Sequence, residues 1–177
     1  MLRKSIITAL LCSFVFGIAW AGDAAKTSAA AAAKTDQAAA SARMKMMKDE
    51  MMKCSVCKNM ATHMDEWGPV MTMDVAHLND GVAMIHGVSD PSKLANFRAD
   101  CAATHKAGEA SMTMTDEQVK TQLCSFCQEI HGAMKAGAKM SQGPTTSGEI
   151  MILTSSDPAV KAKLEALAAQ CEMMAKM

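Results

Sequence analysis

Cys54-Ser55-Val56-Cys57 recurs 70 residues on as Cys124-Ser125-Phe126-Cys127. Each pair is followed by one further cysteine at the same distance, 44 positions from Cys57 to Cys101 and from Cys127 to Cys171. Cysteines three residues apart on a helix share a face, so each CxxC pair presents two sulfurs together. His131 lies four residues beyond Cys127, and His105 four beyond Cys101. If the helices of each half pack side by side, two sets form: Cys54, Cys57, Cys101 and His105, and Cys124, Cys127, Cys171 and His131. Three thiolates and one imidazole make a tetrahedral metal set. Soft sulfur donors favour Cu(I) or Zn²⁺.

Two other uses of these thiols compete with metal. Exported proteins form disulfides, so each CxxC could close on itself with Cys101 joined to Cys171, or one CxxC sulfur could pair with the closing cysteine. The protein would then be a stapled structural or interaction module. A thiol–disulfide redox protein needs CxxC at a helix N-terminus, where the dipole lowers the thiol pKa. A helix begun at Thr115 would place Cys124 nine residues inside, which argues against that use. No Gly-rich phosphate loop, nucleophile elbow or CxxCH haem motif is present, and the expectation is a protein that is not an enzyme.

Methionine pushes the choice of ion toward copper. The chain has 19, among them the Met-x-Met spacings Met44-Lys45-Met46, Met71-Thr72-Met73 and Met112-Thr113-Met114. Thioethers bind Cu(I) well and Zn²⁺ hardly at all. The competing reading is packing, because methionine fills irregular core gaps. Met51, Met64, Met134 and Met151 fall at core positions, whereas Met44–Met47 and Met112–Met114, which should precede the helices, are the stronger candidates for thioether ligands. His63, His77 and His86 read as solvated surface residues.

Residues 1–21 have the pattern of a signal peptide: basic Arg3 and Lys4, an apolar run from Ile6, and a small-x-small cleavage site at Ala19-Trp20-Ala21. The expected location is the periplasm or the exterior, with no membrane anchor after cleavage. No basic patch with interleaved aromatics speaks for nucleic acid, so the one partner the sequence suggests is a metal ion. Residues 22–43, nearly all alanine with scattered polar residues, read as a tether.

The remainder reads as an α+β fold. It is a tandem duplication of a helix–β-hairpin–helix unit, with an antiparallel sheet and helices packed on one side. Unit 1 covers 44–107 and unit 2 covers 114–177, with 108–113 as linker. Thr115-Asp116-Glu117-Gln118 opens a helix with a capping box. Val119, Leu123, Cys127, Ile130 and Met134 follow at helical spacing. The matching first helix carries Met47, Met51, Cys54, Cys57 and Met64 and stops at Trp67-Gly68-Pro69. Alternation from Met71 to His77, the turn Asn79-Asp80-Gly81 and a return through Val88 predict a hairpin. In the second half Gln142-Gly143-Pro144 should break the first strand, before a second strand at Glu149–Leu153. Ser-Asp-Pro at 89–91 and at 156–158 starts each closing helix. Those helices share an inward stripe, Leu94, Phe97 and Cys101 against Leu164, Leu167 and Cys171.

Overall fold

The structure is a computed structural model that describes residues 41–175. The signal peptide at 1–21 and nearly all of the tether at 22–43 lie outside the described residues. Helix α1 occupies residues 41–53, and α2 spans Lys58–Trp67. A 3₁₀ turn at Gly68–Val70 leads into β1, Met71–Leu78. Strand β2, Gly81–Val88, returns antiparallel with Leu78 opposite Gly81, so Asn79 and Asp80 form the turn. After a 3₁₀ turn at Pro91–Lys93 comes α3, Leu94–Ser111. Then follow α4, Asp116–Gln122, and α5, Ser125–Lys135. Strands β3, Lys139–Pro144, and β4, Gly148–Thr154, precede α6, Pro158–Ala175.

The four strands form one antiparallel sheet in the order β1-β2-β4-β3. Its centre is the β2–β4 pair, which joins the two hairpins edge to edge, with Met84 opposite Met151 and Gly81 opposite Thr154. This contact demands glycine at both its ends. A Cβ on Gly81 would collide with the Leu153 carbonyl, and one on Gly148 with that of His86. Two hairpins in one sheet thus share a core.

Helices pack against the sheet on one face. Val82, Met84 and Leu153 are buried with Val160, Leu164, Leu167 and Cys171 of α6. Val88 packs with Phe97 and Cys101 of α3 and with Met64 and Trp67 of α2. Positions 82, 84 and 88 alternate in register along β2, so α3 and α6 cover the same side. Trp67 meets Phe97 edge to face, with centroids 5.4 Å apart. A fully buried Leu or Phe of this kind contributes about 1.5–3 kcal/mol in apolar transfer. Both Ser-Asp-Pro segments cap as expected. Asp90 Oδ1 accepts from the Ser92 amide, and Asp157 Oδ1 from the Ala159 amide.

Four expectations need correction. Neither helix that carries a CxxC pair is continuous. The first is interrupted at residues 54–57; in the second, Leu123 takes up an extended conformation that separates α4 from α5. Gln142-Gly143-Pro144 does not break a strand, because proline is tolerated at the end of an outer strand such as β3. Helix α3 continues to Ser111, through much of the segment expected to be a linker. Met44–Met47 lie within helix α1 rather than before a helix.

Candidate metal centre

The breaks in both helices set the position of the sulfurs. At 54–57 the chain leaves α1 in a turn and enters α2, with Cys57 as the residue before its first turn. At 123–124 it leaves α4 extended, and Cys124 becomes the N-cap of α5. In both places the carbonyl of the first cysteine accepts the amide hydrogen of the residue after the second: Lys58 N–H to Cys54 O at 3.0 Å, and Gln128 N–H to Cys124 O at 2.9 Å. Both CxxC pairs therefore lie at helix N-termini, where the peptide dipoles favour negative sulfur. Cys124 thus caps α5 instead of lying nine residues inside a helix begun at Thr115.

The serine between each pair ties one half to the other. Ser55 donates its amide hydrogen to the Gln122 carbonyl at 2.9 Å. Ser125 donates its hydroxyl to Glu50 Oε1 at 3.2 Å, with its amide at 3.4 Å from the same oxygen. The two CxxC turns are thereby held face to face. Val56 and Leu123 are buried beside them, with Ala107, Met114 and Val119 packed around. The Leu123 carbonyl freed by the helix break is satisfied by Gln128 Nε2 at 2.8 Å.

Four sulfurs converge there. The Sγ atoms of Cys54, Cys57, Cys124 and Cys127 all lie within 4.8 Å of one another. Cys57 Sγ is 3.2 Å from Cys127 Sγ and 3.9 Å from Cys124 Sγ. A tetrahedron of sulfurs about 2.3 Å from a central ion has edges of about 3.8 Å, so the cluster matches a single-ion tetrathiolate in size. All six described cysteines are free thiols.

The electrostatics of the bare cluster are divided. A hydrogen bond with Cys124, followed by those with Cys127 and Cys57, holds Cys54 far below the ordinary thiol range. The bond from Cys127 lowers Cys124. Cys57 and Cys127 are pushed upward, chiefly by their bonds to Cys124, with burial adding to the effect. Four thiolates this close repel one another strongly; either shared protons or a cation must compensate.

The grouping differs from the two expected sets. The sulfurs that meet come from opposite halves, and the third cysteine of each half is elsewhere. Cys101 lies in the α2–α3 core against Phe97 and Val88. Cys171 lies in the α6 core, its Sγ 3.2 Å from the sulfur of Met84. Burial pushes Cys101 up to about 12, helped by the nearby carboxylates of Glu149 and Asp100, and pushes Cys171 up to about 11. His105 Nε2 faces Glu149 Oε2 at 3.4 Å. His131 is buried one turn beyond Cys127, and its Nε2 has no hydrogen-bond partner among the described residues. Neither imidazole belongs to the four-sulfur group. The physical reason is the break at each CxxC: it turns the pair toward the opposite half and away from its own closing helix. The hint in the sequence was the repeated CxxC alone, since two such pairs are a tetrathiolate pattern without any third cysteine.

The other histidines are also engaged. His63 Nδ1 is 2.8 Å from buried Asp100, which also accepts from Trp67 Nε1 at 3.1 Å. His77 lies between Glu172 and Glu165, at 3.0 and 2.6 Å, and these raise its pKa. His86 faces α3 with its pKa lowered by burial, so it is no free surface residue. Met64 is core; Met44 and Met47 pack near Trp67, and Met114 alone of the Met-x-Met residues lies against the sulfur cluster. No described helix is long and apolar enough to cross a membrane. No family model matches the chain, and neither a curated protein nor a solved structure is significantly similar to it.

Proposed function

We propose that this is an exported protein, built by duplication, that binds one soft metal ion in a tetrathiolate site shared by its two halves. The observation that carries this reading is the convergence of Cys54, Cys57, Cys124 and Cys127 within 4.8 Å from segments 70 positions apart. Duplication is supported by the repeated order of helix, hairpin and helix and by the matching CSxC and Ser-Asp-Pro segments. Export rests on the sequence of residues 1–21. With four thiolates in a tetrahedral array, Zn²⁺ is the favoured ion and Cu(I) the competitor. The role is binding rather than catalysis. Metal would also fasten the halves together, because its ligands divide equally between them.

The test is a Zn²⁺ and Cu(I) titration of reduced full-length protein against a competing chelator, with X-ray absorption on the loaded sample. One ion per chain in an all-sulfur shell is the expected result. Uptake should release protons and weaken as pH falls, since thiolates must be deprotonated to bind. No binding to the reduced, folded protein would end this reading.

A disulfide-stapled form is favoured by one observation, the 3.2 Å between Cys57 Sγ and Cys127 Sγ. Metal-free protein exposed to a thiol oxidant should join these two, giving a cross-half link that peptide mapping would identify. A link within either CxxC pair would exclude this form.

A further inference from the structure

A cleft of about 270 Å³ opens beside the sulfur cluster, lined by Glu50, Lys53, Thr121 and Gln128 and reaching Cys54 and Cys124. Cys57 and Cys127 do not line it, and their sulfurs are 3.2 Å apart. The cleft thus reaches one cysteine of each CxxC pair, Cys54 and Cys124. Of the two that line it, Cys124 is half-buried and Cys54 is fully buried, so an incoming ligand meets Cys124 first.

We infer that the cleft admits a low-molecular-weight thiol carrying a carboxylate, which takes the metal ion from the protein by ligand exchange at Cys124. This deepens, and rests on, the tetrathiolate reading. The cleft has room for a molecule of a few heavy atoms, since a water occupies about 30 Å³. Its two charged side chains differ in availability. Glu50 is bonded to Ser125, whereas Lys53 has no ion-pair partner among the described residues and can meet an incoming carboxylate. Cys124 is suited to leave because it caps α5, whose N-terminus stabilises a departing thiolate. In the step the incoming thiol loses its proton and forms a metal–sulfur bond. The metal–Cys124 bond breaks, and Cys124 takes up a proton; no electrons change hands. Cys54, Cys57 and Cys127 hold the ion until further exchanges of the same kind replace them.

The experiment follows release of Zn²⁺ from loaded full-length protein into a chromogenic chelator, driven by 3-mercaptopropionate or by the neutral 2-mercaptoethanol. The readout is the ratio of the two second-order rates, which cancels general changes in site strength. Lys53→Gln should lower that ratio by about 3- to 5-fold, the scale of an exposed ion pair. Lys53→Glu should lower it further, and the distant Lys139→Gln should leave it unchanged. Thr121→Trp, which fills the mouth of the cleft, should slow both thiols together. A ratio that survives both Lys53 variants, or release that Thr121→Trp does not slow, would overturn the inference. Protein that binds no Zn²⁺ at the outset would instead refute the metal-binding reading itself.

Discussion

The cysteines of this chain fall into two regions with opposite physics. Cys54, Cys57, Cys124 and Cys127 lie at helix starts, beside a cleft and among each other's sulfurs. Cys101 and Cys171 lie in the middle of helices, inside apolar cores, with their thiols held protonated by burial. A residue at a helix start faces amide groups and the chain of another segment, while one at mid-helix faces whatever the helix packs on. The same side chain is a candidate ligand in the first setting and a small hydrophobe in the second.

The largest expected effect separates the two regions directly. Cys57→Ser or Cys127→Ser should weaken Zn²⁺ binding by more than about 100-fold, beyond the loss typical of a change behind the ligands. Cys101→Ser and Cys171→Ser should keep one ion per chain. Competition titrations of the four variants check this, and a Cys171 variant that loses the ion while still folded would break the comparison.

Next in size is the effect of removing the ion. Ligands divided between the halves should raise stability by about 4 kcal/mol when free Zn²⁺ is about 1,000 times its Kd. Chelation should therefore lower Tm by roughly 10 °C or more. The same chelator should leave the Tm of a Cys57→Ser/Cys127→Ser double variant unmoved, and calorimetry with and without it measures both.

The core thiols should show a smaller effect of a different kind. Cys171→Ser places a hydroxyl beside Met84 in a fully buried site and should cost about 1–3 kcal/mol. Cys171→Ala, which leaves no polar atom, should cost less than serine does. If alanine proved the worse replacement, the thiol would be making a contact that packing does not explain.

A further effect of the core thiols is in pH. Cys101 and Cys171 titrate at about 12 and about 11 in the folded protein, against about 8.5 for an unperturbed thiol. Their folded values are raised, so their contribution is complete below the unfolded value and is lost as pH climbs through that window toward 11–12. Denaturant midpoints should decline between pH 9 and 10.5, and Cys101→Ala/Cys171→Ala should flatten the decline. Thiol-reactive probes at pH 8 should label the cluster of the metal-free protein while sparing these two.

Residues close in sequence were the legible part. The alternation of β1, the turn at Asn79-Asp80, the Ser-Asp-Pro caps and the stripes ending in Cys101 and Cys171 are set by neighbours within a few positions, and local patterns record such neighbours. The stripes even placed the third cysteines correctly on inward faces. Which sulfurs meet was not recorded there. The apolar spacing from Val119 through Cys127 to Met134 is unbroken, yet the helix yields at Leu123 because an extended residue there buries Leu123 and Cys127 against Cys54 and Val56. That gain comes from a segment 70 positions away, brought close by the chain's tertiary packing and by the bond from Ser55 to Gln122. The sequence by itself determined the elements, the faces and the pairing of cysteines at i and i+3. The tertiary structure alone decided that the two pairs face one another and that the third cysteines serve the core. Contacts between distant segments leave no period in the sequence between them.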